Sequence, residues 1–176
     1  MYPNAYIDYL TYFHVNQDYF ECHEVLEEYW KEKTAKHRDI IWVGLIQLSV
    51  GLYHERRGNI LGANKMLSRA ASIFTNNQPA LEKLSLDPKL LIKAVKERIA
   101  QLPNHKNNPF EPIQLPLLDH SLLVKMEKRR GELKLDWQKD GVVPDPFIIN
   151  KHRLRDRSDV IEERELELLK RQRSST

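Results

Sequence analysis

The chain has 176 residues, 41% of them apolar and 30% charged, with a formal charge of +3. That length suits one domain, or one domain with an extension, and holds enough apolar material for a core without a disulfide or metal staple. The single cysteine, Cys22, excludes an internal disulfide. The missing basic-then-apolar leader and the missing run of about 20 apolar residues point to a cytoplasmic chain with no membrane partner.

In chain order, helical spacing of tyrosines and aliphatic residues predicts a first helix over 5–15. Asp18 then reads as an N-cap, with Glu21 as its capping-box partner, and opens a second helix over 19–33. The apolar arc of that helix is Cys22, Val25, Leu26, Tyr29 and Trp30; Glu21, Glu24, Glu28 and Glu32 lie on the polar arc. A third helix starts at Asp39 and stops at Gly58-Asn59. It is apolar nearly all round, the pattern of a buried central helix. A fourth follows over 59–74, with Leu61, Met66, Leu67, Ala70, Ala71, Ile73 and Phe74 as its packing stripe. Asp87-Pro88 opens another helix to 102, with Leu90, Leu91, Ala94, Val95, Ile99 and Leu102 facing inward.

At Pro103 the character changes. Prolines 103, 109, 112 and 116 predict extended, irregular chain. A helix over 119–130, stopped by Gly131, a hint of a strand over 133–137, and a charged helix to 171 follow. The fold class is therefore all-α: a compact bundle of about five helices over 1–102, a Pro-rich linker, and a partly irregular C-terminal arm over 103–176. The arm carries Phe110, Ile113, Leu115, Trp137 and Phe147, which calls for a covering surface on the core or on a second subunit.

The densest chemistry lies on the second helix. His23 and Glu27 are four apart and share a face, with Glu24 at the margin and Trp30 beside them. In the third helix Gln47 and His54 share a face with Gly44 and Gly51, which leaves room for a backbone or a ligand. If the two helices pack antiparallel, His23, Glu27, Gln47 and His54 converge. A divalent metal is the one cofactor such a set suggests, with His23, Glu27 and His54 as ligands and Glu24 as general base. The competing reading is structural: a helix-surface hydrogen bond for His23–Glu27, satisfied core polar groups for Gln47 and His54, close packing for the glycines, and an inert buried thiol for Cys22. No zinc-protease motif is complete, because the fifth residue of His23-Glu24-Val25-Leu26-Glu27 is Glu. Phosphate-loop, dinucleotide and nucleophile-elbow motifs are absent.

The run Tyr19-Phe20-Glu21-Cys22-His23-Glu24-Val25-Leu26-Glu27-Glu28-Tyr29-Trp30 resembles the signature of the family called domain of unknown function 309. A second block, Gly44-Leu45-Ile46-Gln47-Leu48 followed by Tyr53-His54-Glu55-Arg56-Arg57-Gly58-Asn59 and Gly62-Ala63, resembles it in the same order and spacing. The resemblance covers about 8–74 and the helix to 102; the remainder is similar to longer bacterial members. It implies a small helical bundle with no established activity, and marks His23, Glu24, Glu27, Trp30, Gln47, His54, Gly58 and Asn59 as family-motif positions.

Two classes of function are expected from this. One is a non-catalytic binding or scaffolding protein that self-associates or takes a protein partner. The other is a small metal-assisted hydrolase with a His/Glu site between the second and third helices. A third, RNA binding through the arm, rests on Lys128-Arg129-Arg130, the run from 151 to 157, and Lys170-Arg171-Arg173.

Overall fold

The computed structural model describes residues 2–32, 39–104, 110–138 and 145–154. It is all-α; the described residues contain no strand, only an isolated bridge between Leu86 and Leu117. α1 (Asn4–Thr11) runs on into a π-helical turn, Tyr12–Asn16, which ends at Gln17 in the left-handed region, φ 55°. α2 is Tyr19–Glu32, α3 Ile40–Arg56, α4 Ile60–Asn76, α5 Gln78–Lys83 and α6 Pro88–Gln101, followed by a 3-10 turn. α7 is Ser121–Leu133, and two single turns, α8 (Pro146–Ile149) and α9 (Lys151–Leu154), close the described chain.

α3 lies between α2 and α4; α1 packs on α2 and α7, and α6 on α4. With helices on two sides, α3 needs apolar residues around most of its circumference. Leu45, Leu48 and Leu52 are fully buried, each burial contributing about 1.5–3 kcal/mol. Gly44 and Gly51 set the α3–α4 approach. A Cβ on Gly44 would lie 2.7 Å from the Phe74 ring, and one on Gly51 would lie 2.7 Å from Leu67 Cγ. The room these glycines leave is therefore filled by α4. Three buried hydroxyls of the bundle are matched: Tyr9 donates to the Leu45 carbonyl at 3.2 Å, Ser49 Oγ donates to Tyr9, and Tyr6 donates to the Leu84 carbonyl at 2.9 Å.

Several expectations need correction. Leu61 is 86% exposed and Leu90 56% exposed, because the buried stripes of their helices are Ala63–Leu67–Ala70–Phe74 and Leu91–Val95. α5 has no counterpart among the predicted helices; it opens at Gln78-Pro79, and proline suits the first helical turn. Gly131 does not stop α7, which runs to Leu133 and ends at Lys134 in the left-handed region, φ 54°. The alternation of Leu133, Leu135 and Trp137 marks a helix exit, not a strand: the Leu135 amide donates back to the Arg130 carbonyl at 3.1 Å. The expected helix to 171 lies outside the described residues.

From Phe110 on, described chain outside helices covers the bundle. Ile113 and Leu115 are buried in the same core as α1–α6, as are Leu122 and Met126 of α7, and Phe110 packs against it. Leu118, Trp137 and Phe147 remain exposed. Among the described residues, none of the helices is long and apolar enough to cross a membrane.

Candidate functional site

α2 begins where Asp18 Oδ1 accepts the Glu21 amide at 3.0 Å, the forward half of the expected capping box. The reciprocal half is absent: the Asp18 amide donates to the Tyr12 carbonyl at 3.1 Å, and Glu21 Oε2 takes Lys151 instead. One turn on, His23 sits partly buried with its ring 6.0 Å from that of Phe20. Its Nδ1 lies 3.0 Å from Glu24 Oε1 and its Nε2 2.6 Å from Glu27 Oε2, and Lys31 Nζ holds the other Glu27 oxygen at 2.9 Å.

Ligating atoms of His23, Glu24 and Glu27 all lie within 4.8 Å of one another, the spacing that could hold a cation. As the side chains stand, the two ring nitrogens face different carboxylates. A single ion would take one nitrogen and require the other carboxylate to swing across. Glu24, expected as a general base, thus stands close enough to be a ligand beside Glu27 as well.

His54 is not in this group. Its Nδ1 accepts from Asn59 Nδ2 at 3.1 Å, while Asn59 Oδ1 caps α4 by accepting the Gly62 amide at 3.0 Å. The Asn59 amide donates to the His54 carbonyl at 2.9 Å, through Gly58 at φ 74°. Burial, with the neighbouring Arg57 charge, holds the His54 imidazole below its ordinary pKa. His54, Gly58 and Asn59 together build the α3–α4 corner. Gln47 is half-buried, its Oε1 shielded from solvent without a hydrogen-bond partner. Trp30 packs half-buried against the core. Cys22 is fully buried, donates to the Tyr9 carbonyl at 3.5 Å, and has its thiol pKa pushed well up by burial. Its burial on the apolar arc matches expectation.

Sequence reasoning missed the residues that receive the C-terminal segment. Lys151 Nζ donates to Asp18 Oδ2 at 2.7 Å and Glu21 Oε2 at 2.6 Å. The Tyr53 hydroxyl lies 2.8 Å from His152 Nδ1, and Arg57 Nε donates to Asn150 Oδ1 at 3.4 Å. Partial burial alone would lower the Lys151 pKa, but its two carboxylate partners outweigh that and raise it. The Tyr53 ring stacks at an angle on Phe20, 5.8 Å away, and so joins this seat to His23. Glu21, placed on the polar arc of α2, is therefore engaged by Lys151. Partners 130 residues apart leave no local signature.

Next to the seat lies a buried ionic layer. Glu55 is 3% exposed and accepts from Arg98 Nη1 at 3.0 Å, and Arg98 Nη2 donates to the Glu111 carbonyl at 2.6 Å. Arg56 stacks 4.9 Å over the Tyr19 ring and donates to the Gln17 carbonyl at 2.8 Å. Several of the arm's described cations are paired: Lys128 with Glu132, Arg129 with Asp8 and Glu132, Arg130 with Glu127, and Lys151 as above. The rest of the arm's basic runs lies outside the described residues. A cleft of about 510 Å³ separates α1 from α7, and none of the predicted site residues lines it.

The family model for domain of unknown function DUF309 matches residues 6–66, a span that holds all eight motif positions. The chain is 43% identical over 174 residues to uncharacterized protein YpuF of Bacillus subtilis (strain 168), covering 99% of each chain. No solved structure matches.

Proposed function

The chain belongs to the DUF309 family, and on that premise we propose that it is a non-catalytic binding protein. Its recognition face is the α2–α3 junction, which holds the chain's own segment around Lys151, and it self-associates by exchanging that segment between two copies. The observation that carries this reading is the fit of Asn150, Lys151 and His152 to Arg57, Asp18, Glu21 and Tyr53, a charged and aromatic seat matched to one short basic segment. Partly buried carboxylates bridged by one ammonium are worth more than exposed pairs, so the seat supplies affinity as well as register.

A labelled peptide spanning residues 145–154, titrated onto full-length Lys151→Glu chain, tests the seat. Saturable binding that Glu21→Lys abolishes supports it; no binding overturns it. Sedimentation of the unmodified chain at micromolar concentration tests association: a dimer that Lys151→Glu weakens is expected, and a strict monomer removes the self-association.

The spacing of His23, Glu24 and Glu27 favours a second reading, a metal-assisted hydrolase. Metal analysis of untagged protein decides it. Stoichiometric metal lost in His23→Ala and Glu27→Ala would establish a site. Loss in His54→Ala as well would restore His54 as a ligand.

A further inference from the structure

Most described cations on this molecule that pack near acids are paired with them, as Lys31 is with Glu27, Arg129 with Asp8, Arg130 with Glu127 and Lys151 with Asp18. The outer face of α4 and α6 is different. α4 carries Lys65 and Arg69 and no acid; α6 carries Lys89, Lys93, Lys96 and Arg98 against one acid, Glu97. Arg98 turns inward to Glu55, which leaves five cations that are all exposed. Only Lys93 has a carboxylate nearby, Glu97 at 3.8 Å; no ion pair joins Lys65, Arg69, Lys89 or Lys96 to another described residue.

The lysines of α6 form a stripe. Positions 89, 93 and 96 lie within about 60° of one another around the helix and span roughly 10 Å along it. Beside them run two adjoining shallow clefts, about 440 and 480 Å³, that share Thr75 and Lys96. Their remaining polar lining is hydroxyl and amide, from Ser68, Ser72, Asn76 and Gln78, with one carboxylate, Glu97, against three lysines. Lysines flanked by neutral hydrogen-bond donors are the chemistry that holds phosphodiester oxygens. The face offers no stacking platform, since the one aromatic residue of α4, Phe74, is fully buried and α6 has none. Without stacking, single strands gain little here, while a duplex presents a regular array of phosphates.

We infer that the α4–α6 face binds the phosphate backbone of a nucleic-acid duplex, without reading its sequence. This site is separate from the arm and does not depend on the α2–α3 seat.

The test is fluorescence anisotropy with labelled duplexes of about 20 base pairs, RNA and DNA in separate arms, titrated with the full chain over a salt series. The variants are Lys89→Glu/Lys93→Glu/Lys96→Glu and, as a charge-matched control on α7 and its C-terminal end, Lys125→Glu/Lys128→Glu/Lys134→Glu. Vesicles of phosphatidylserine and phosphatidylcholine form a parallel arm. All substitutions are at exposed positions, and thermal melts monitored by circular dichroism check that each variant is folded. The expected result is binding whose logarithm falls linearly with log salt. The triple variant should bind at least about tenfold more weakly, with the slope reduced by up to roughly 0.9 for each phosphate it no longer neutralises. The control should bind nearly as the unmodified chain does. No binding at about 50 mM salt would overturn the proposal. So would an equal weakening in the control, or affinity for vesicles with none for duplex.

Discussion

Glu55 and Arg98 show how much one buried charge can depend on one cation. Glu55 is almost wholly buried, and Arg98 reaches it at 3.0 Å. Removing the guanidinium leaves a buried carboxylate without that counter-charge, so Arg98→Leu should destabilise by about 3–5 kcal/mol, read from urea unfolding. Replacing both partners with apolar residues should cost far less. The histidines give a pH signature. Burial holds His14 below its ordinary pKa, against a weaker raising contribution from its hydrogen bond to Gln114; burial and Arg57 lower His54. Each binds its proton less well folded than unfolded. Their contribution is complete above the unfolded value of about 6.5 and is lost as pH falls through the lower folded values. The urea midpoint should therefore drop on acidification from about pH 7.5 to 5.5, and His14→Gln should flatten that drop. At this scale the sequence is a good guide to which residues are unusual and a poor one to what they touch. His23 and Glu27 pair because helix geometry alone brings residues four apart together. Helical spacing puts His54 across the groove from them, but its partner is Asn59, a tertiary detail set by the helix rotation and the left-handed turn at Gly58.

Among the elements, α3 and α4 form the tightest pair, through Gly44 and Gly51. Gly51→Ala would press a methyl group to 2.7 Å from Leu67 Cγ and 3.2 Å from the Leu67 backbone nitrogen, which cannot yield like a side-chain tip. It should destabilise by about 1–3 kcal/mol despite better helix propensity, measured as a lowered melting temperature. An exposed Gly131→Ala, with nothing near its Cβ, should be neutral or stabilising and is the control. The main helices are legible in the sequence because periodicity and caps agree, as at Asp87, whose Oδ1 accepts the Leu90 amide at 3.0 Å. Stripe membership is less so. Leu61 and Leu90 fit a hydrophobic tally, but each lies outside the buried angle of its helix, and a tally does not see angle. α5 escapes because a proline at a helix start and a proline in a loop look alike in sequence.

For the whole molecule, the sequence divides bundle from arm at Pro103. The structure adds that Ile113, Leu115, Leu122 and Met126 share the core of α1–α6. What sequence could not offer is the long-range match between residues 150–152 and the α2–α3 junction, since complementary charges far apart in a chain that is 30% charged are indistinguishable from coincidence.

That match bears on time as well as on binding. Lys151 meets Asp18 and Glu21 across 133 and 130 residues, among the widest loops this chain closes. Closing such a loop costs chain entropy before any contact rewards it, so the clasp should form after the helices have docked. Interactions absent from the transition state govern how fast a protein comes apart, not how fast it assembles. Lys151→Glu should then accelerate unfolding in stopped-flow experiments while leaving the refolding rate nearly unchanged. An equal slowing of refolding would place the clasp in the folding nucleus. On the first outcome, the lifetime of the folded chain is controlled by a short segment that its assembly does not require.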